Sequence, residues 1–195
     1  MDIAALSRAC TRLTARATLC VLGAALLPPI ADGQKPTEYD VKAAYLFNFG
    51  KYLRQPEGTE NAQRKTFDIC ILGRDDFGGA LTKLTANEQM DGMPERVVKV
   101  PNTTAAKTCA ILFISISEKE RIAQDMTDLA GVPVLTVSDM PHFLDYGGMI
   151  AFQMRDNHVR FSVGLDAVTK AGLTLSSELL RVSLQVTGQP KRGGQ

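Results

Sequence analysis

The run Ala110-Ile111-Leu112-Phe113-Ile114-Ser115 is apolar at nearly every position. A strand with one face in water alternates apolar and polar side chains, so an unbroken apolar run must be covered on both faces. That need fixes the class of fold, because only a layer of helices on each side of a sheet supplies two covers. The neighbouring segments fit. Phe67 to Leu72 predicts a strand broken by Gly73, and Asp75 to Leu84 a helix with Phe77, Leu81 and Leu84 inward. Arg96 to Val100 and Val132 to Val137 predict further strands, with Pro133 near a strand start, where a missing donor is tolerated. Ser117 and Glu120 have capping-box spacing ahead of a helix with Ile122, Met126 and Leu129 inward, ended by Gly131.

The flanks complete the pattern. Thr37 is an N-cap for a helix over residues 37–54, closed by Pro56, whose apolar face carries Val41, Ala44, Tyr45, Leu46, Phe49, Tyr52 and Leu53. Asn48 falls on that face and reads as a buried amide that satisfies a neighbouring backbone group. Residues 55–65 read as a polar loop. Ser138 caps a short turn ending at Gly147-Gly148. Met149 to Met154 and Val159 to Val163 form a hairpin around Asp156-Asn157, and two helices, 166–171 and 176–186, follow on either side of Gly172. The expectation is an α/β fold: a three-layer single domain over residues 34–188, its sheet mostly parallel with an antiparallel hairpin, helices on both faces, and a disordered tail at 189–195.

Residues 1–33 read differently. Arg8, Arg12 and Arg16 precede the apolar stretch Ala17 to Leu27, and small residues follow near Pro28-Pro29, which is the layout of a cleaved secretory signal. Cleavage after Gly33 places Ala31 and Gly33 at the two small-residue positions; cleavage after Ala31 would put Pro29 in one of them. Lipid attachment at Cys20 is rejected because Leu19 is too bulky for the position before it. The chain has 22 Lys+Arg and 21 Asp+Glu, and loss of this segment would remove three Arg and two Asp, leaving no net charge. Nucleic-acid binding, which needs a basic stripe, has no support, and no apolar run reaches the roughly 18 residues of a membrane-spanning helix. Export would also leave two cysteines, Cys70 and Cys109. In an oxidising compartment they read as a disulfide, with two buried free thiols as the alternative.

Chemistry-bearing patterns are sparse. Gly73-Arg74-Asp75-Asp76-Phe77-Gly78-Gly79 sits where phosphate loops occur but lacks the Lys-Ser/Thr that must follow, and its aspartates would repel an anion. No Gly-x-Ser-x-Gly elbow exists, and the two histidines, His142 and His158, with two bridged cysteines give no basis for a metal site or for a cofactor. Asn102-Thr103-Thr104 fits a glycosylation sequon, a weak pattern alone. Asp139, His142 and Arg160 are the polar groups chosen as candidates for a ligand or partner; Asp139 and His142 share one turn, and Arg160 points opposite Phe161. With no assembled active site, an exported binding or regulatory domain is favoured over an enzyme. A hydrolase using Asp139 and His142 is the rival reading.

Several segments taken together resemble the YfiR family of periplasmic proteins. They are Glu38-Tyr39-Asp40-Val41-Lys42-Ala43-Ala44-Tyr45-Leu46-Phe47-Asn48-Phe49, Ile69-Cys70-Ile71-Leu72-Gly73, and Cys109-Ala110-Ile111-Leu112-Phe113-Ile114-Ser115. Val134-Leu135-Thr136-Val137-Ser138-Asp139, Gly147-Gly148-Met149-Ile150, Val159-Arg160-Phe161 and the stretch from Ala171 to Leu180 follow in the family's order. The resemblance implies an α/β periplasmic fold and a Cys70–Cys109 disulfide. It also implies a repressor that binds the periplasmic sensor domain of an inner-membrane diguanylate cyclase, forms a homodimer, and is sequestered by an outer-membrane lipoprotein. Some relatives carry a second cysteine pair, which this chain lacks. A periplasmic small-ligand sensor serving another membrane signalling protein is the alternative function.

Overall fold

The structure, a computed structural model, describes residues 35–54 and 64–188. The expected export signal, Pro56 with most of the loop after the first helix, and the expected tail lie outside them. In chain order the elements are α1 (Glu38–Tyr52), β1 (Leu53–Arg54), β2 (Phe67–Leu72), α2 (Ala80–Thr85), β3 (Gln89–Met90), β4 (Met93–Val100), α3 (Thr103–Ala106), β5 (Ile111–Ile114), α4 (Ile122–Asp128), β6 (Leu135–Ser138), β7 (Ile150–Arg155), β8 (His158–Gly164), α5 (Leu165–Lys170), β9 (Thr174–Leu175), α6 (Ser177–Val182) and β10 (Gln185–Thr187). Two 3-10 turns, Ile116–Glu118 and Phe143–Tyr146, complete them.

The main sheet has eight strands in the order β10-β8-β7-β6-β5-β2-β4-β3. β4, β2, β5, β6 and β7 are parallel; β8 returns antiparallel to β7, and β10 adds parallel to β8. β5 lies at the centre with all four residues buried. Its side chains alternate between two cores. Ile111 and Phe113 join α1, α2, α5 and α6 through Leu46, Phe49, Leu81, Val168 and Leu179; Leu112 and Ile114 join α3 and α4 through Ala106, Ile122 and Met126. These are the three expected layers, mostly parallel with a hairpin added.

Local chemistry sets the element ends. Thr37 caps α1 in a reciprocal box with Asp40, as its place in the sequence suggests. Asp156 and Asn157 both have positive φ, as the two-residue turn joining β7 to β8 needs. Other expectations need correction. Leu84 is 37% exposed, because α2 begins only at Ala80 and its short inner face is filled by Leu81. Ser117 does not cap α4: Ser115 caps the 3-10 turn before it, and the Ser117 hydroxyl accepts the Arg74 N–H instead. Asn48 bonds within its own helix, donating to the Ala44 carbonyl and accepting from Lys51, and is only half-buried. The expected helix over 176–186 stops at Val182, and the chain continues as the edge strand β10. Asn102 of the sequon caps α3, accepting from Ala105.

Cys70 and Cys109 form a disulfide that ties the middle of β2 to a point two residues before β5, across 39 positions of sequence. Both are buried against α3 and α4. In the chain-entropy model, closure of a loop this long stabilises the fold by about 4 kcal/mol. Replacing both cysteines by alanine should lower the urea midpoint by the equivalent of that figure, and a reductant should no longer shift it; equal midpoints for the two proteins would refute the contribution.

Glu95, at the start of β4, is 6% exposed, and neither carboxylate oxygen has a hydrogen-bond partner. Burial is the main force raising its pKa; Glu88 adds to the rise and Lys51 opposes it. A raised folded pKa makes this group's contribution greatest below its ordinary value of 4.5, and that contribution is lost as pH rises from there through the raised value. Glu95→Gln should therefore flatten the fall in stability above pH 4.5 and raise stability at neutral pH, as read by thermal melts across pH. Parallel pH curves for the two proteins would show that the carboxyl titrates as if in water.

Candidate functional site

In a parallel sheet the loops that leave the carboxyl ends of the strands gather on one edge. Here the chain passes from β2 outward to β4, then returns to the other side of β2 as β5. The loops after β2 and β5 therefore diverge, which is the place where doubly wound sheets open a crevice. In this protein that crevice is packed shut. A side chain on Gly73, whose φ is +88°, would collide with the Ser117 hydroxyl and Glu118, so only glycine lets the two loops meet.

Next to this closure, α1 is tied down across the edge. Ser138 sets the geometry: its hydroxyl donates to the Ile114 carbonyl at 2.7 Å and accepts the Met140 N–H at 3.0 Å, which fixes the turn carrying Asp139. Asp139 Oδ2 then accepts from Lys42 Nζ at 2.6 Å and from the Tyr39 hydroxyl at 2.9 Å. Lys42 also meets Glu38 Oε1 at 2.5 Å, and its ammonium lies 4.3 Å from the centre of the Tyr39 ring. The Lys42 side chain is 4% exposed and that of Asp139 11%, so water screens the pair little. Tyr39 packs edge-on against Phe77, which meets Phe113 of β5 in the same way. Beside them Arg74 Nε bonds Asp76 Oδ1 at 2.6 Å.

The electrostatics favour holding over proton transfer. Burial first, then the hydrogen bond and the charge of Asp139, push the Tyr39 hydroxyl well above its ordinary pKa. It stays protonated at physiological pH and serves as a donor. Lys42 is engaged by two carboxylates and a ring face. One oxygen each of Asp139 and Asp76 is buried without a hydrogen-bond partner. Among the described residues no cluster of three or more His, Cys, Asp or Glu side chains could hold a metal.

The three candidate residues part company. Asp139 faces inward to α1. His142 stands in solvent with a positive φ of 61° and among the described residues pairs with Asp145, at 3.0 Å, the two side chains 79% and 75% exposed. Arg160 is exposed on β8 opposite Gln153 of β7. Sequence reasoning missed Tyr39 and Lys42, although Lys42 left a signal. Positions 42, 46 and 49 share one stripe of α1, so a lysine there interrupts an apolar face and needs a buried partner.

Asp139→Ala should destabilise the protein by roughly 3 kcal/mol, the low end for breaking a buried pair, because Glu38 still faces Lys42. Lys42→Met with Asp139→Leu should recover a large part of that loss. Urea denaturation decides it, and a loss under about 0.5 kcal/mol in the single variant would show the tie to be unimportant.

Comparison with known proteins gives a fold and a family. A crystal structure of a conserved domain protein from Vibrio cholerae O1 biovar El Tor strain N16961 matches with a TM-score of 0.54 at 6% identity, over 76% of this chain and 60% of that one. The ABC domain from Streptococcus pneumonia in complex with L-Trp matches with a TM-score of 0.44 at 10% identity, over 61% of this chain and 54% of that one. The chain thus spans between half and two-thirds of the length of these solved proteins, and at 6% identity the Vibrio likeness speaks to the fold alone. Residues 39–183 match the YfiR/HmsC-like family, from the Tyr39 of the buried network to the end of α6. The chain belongs to the YfiR/HmsC-like family.

Proposed function

We propose that the protein is a periplasmic regulator that binds the sensor domain of an inner-membrane diguanylate cyclase and holds it inactive, lowering cyclic di-GMP and biofilm formation. The observation that carries this reading is family membership across residues 39–183. The carboxyl edge is consistent with it, since its buried charges are engaged in fastening α1. Export by a signal over residues 1–33, a homodimer and sequestration by an outer-membrane lipoprotein belong to the same proposal.

The contact surface proposed is the one that leaves apolar side chains in water. Val182 is 66% exposed and Leu184 44%, and both lie in the segment leading into the edge strand β10. Single exposed apolar residues are ordinary, but two beside an open strand edge make a patch that a partner can cover. Arg160, on the exposed face of the neighbouring β8, supplies a charge for orientation. Binding shifts the cyclase towards its inactive conformation only by its differential affinity for the two states. A second reading, a sensor of a small ligand, is supported by a cleft at the opposite edge of the sheet.

Deletion of the gene should raise cellular cyclic di-GMP and surface attachment, and the wild-type protein should restore both. The double variant Val182→Asp with Leu184→Asp should fold, as judged by its melting curve, yet fail to restore them. Unchanged cyclic di-GMP on deletion, with no cyclase recovered by periplasmic cross-linking, would refute the regulatory reading.

A further inference from the structure

A cleft of about 580 Å³ opens at the amino edge of the parallel strands, the edge opposite Asp139. Its volume is that of a small-molecule pocket. Met126 of α4 and its C-cap Leu129, with Leu144 and Met149, give it apolar lining, and Tyr146, 47% exposed, lines it too. Close approach of backbones makes these walls part of the fold. A Cβ on Gly164 would lie 2.8 Å from the Gly148 carbonyl oxygen, and one on Gly188 would lie 2.5 Å from Asp166 Cγ. One on Gly148 would run into the Phe143 ring. β8, β10 and the turn before β7 therefore converge only because all three residues lack side chains.

The charges of the lining select the ligand. Asp145 and Asp166 line the cleft against one cation, Lys170. Asp145 already pairs with His142, which stands outside the lining. Asp166 has no ion-pair or hydrogen-bond partner among the described residues; Lys170, one turn on in the same helix, does not come within ion-pair distance of it. The chain just after the carboxyl end of α4, Leu129 to Gly131, and the amino end of α5, at Gly164 to Ala167, both reach the lining, so the two helix dipoles offset one another and the side-chain charges decide. Thr136 is buried, and its hydroxyl accepts the Met149 N–H, which leaves its hydrogen for a further acceptor.

We propose that this cleft is a binding site for a small organic cation, an ammonium group carried on an apolar body, with Asp166 as the charge partner, Tyr146 as an aromatic wall and the methionine–leucine lining taking the body. A solvent-exposed carboxylate with no partner among the described residues and a half-exposed tyrosine line the same cleft, and such groups hold an alkylammonium through an ion pair and a cation–π contact. An anion would face two carboxylates and the carboxyl end of α4, against one lysine and the amino end of α5. The site does not depend on the cyclase reading, since binding is read on the purified protein alone.

The test is a titration of the isotope-labelled protein with phenethylammonium, and with phenylacetate as an anion of nearly the same body, followed by amide NMR. Phenethylammonium should give saturable shifts centred on Tyr146, Gly147, Gly164 and Gly188. Phenylacetate should bind at least about tenfold more weakly, and Asp166→Asn should weaken the cation by about tenfold while the rest of the spectrum stays in place. Lys170→Gln, which removes the competing cation, should tighten it and guards against an Asp166 variant that disturbs α5. No saturable binding of phenethylammonium up to about 10 mM, equal binding of the two probes, or unchanged affinity in Asp166→Asn would overturn the proposal.

Discussion

Burial of the central strands on both faces is the condition from which the rest of this fold follows. β5 has no residue in contact with water, and its neighbours β2 and β6 are nearly as deeply covered. Alternate side chains must then find two separate cores, and each core requires its own helices. The larger one collects α1, α2, α5 and α6 around an aromatic cluster of Tyr45, Phe49, Phe152 and Phe161. The smaller one is closed by the short helices α3 and α4 and is the side on which the disulfide lies. The layer with the shorter helices thus receives the covalent tie, which adds stability that its smaller apolar core does not supply.

Covering a sheet on its faces leaves its edges, and the polar groups concentrate there. At the carboxyl edge a lysine that ought to be in water is instead inside, held by Asp139, Glu38 and the Tyr39 ring. Such a pair adds little net stability over an apolar substitute, because desolvation of both ions offsets their attraction. What it does impose is register. α1 docks with Lys42 over Asp139 or leaves two charges stranded, so slippage of the helix along the sheet becomes costly. The helix is long for this protein, spanning Glu38–Tyr52, and its far end joins β1 to β9 near α6. A rotation or slide at one end would be felt at the other.

Much of this was legible in the amino-acid sequence, and what was not has physical reasons. Strands of four residues or more declare themselves through continuous or alternating apolar runs, and β2, β5 and the β7–β8 hairpin stand where those runs lie. β3, β9 and β10 have only two or three residues, too few to show any period, and exist because a neighbouring strand presents an open edge. β3 did leave a mark: Asp91-Gly92, both with positive φ, is a two-residue hairpin turn in plain view, with flanks too short to give it a context. Helix starts misled for another reason. Ser115 and Ser117 are both competent caps, and the choice between them depends on Arg74, 43 positions away, whose N–H takes the Ser117 hydroxyl. At the site, Asp139 drew notice as a polar residue at a strand end, but its partners lie 97 and 100 positions earlier. Local pattern names such a residue and cannot say what it faces.

The two edges of the sheet differ in where their charges stand: ion-paired and largely buried at the carboxyl edge, exposed to water at the amino edge. At the carboxyl edge, the usual place for ligands in doubly wound sheets, the crevice is filled by Ser117 and Glu118 against Gly73, and the nearby charges are paired within the protein. The amino edge keeps an open cleft with an Asp166 that has no partner among the described residues, because β8 and β10 run against the parallel strands and bring their own ends to that side. The reversal of direction at the β7–β8 hairpin is therefore what moves the available chemistry across the sheet. It also ends the sheet in the short strand β10, with Val182 and Leu184 exposed beside it and Thr187 and Gly188 lining the cleft. The segment proposed for a protein partner and the wall of the cleft are thus one stretch of chain, seven residues from end to end.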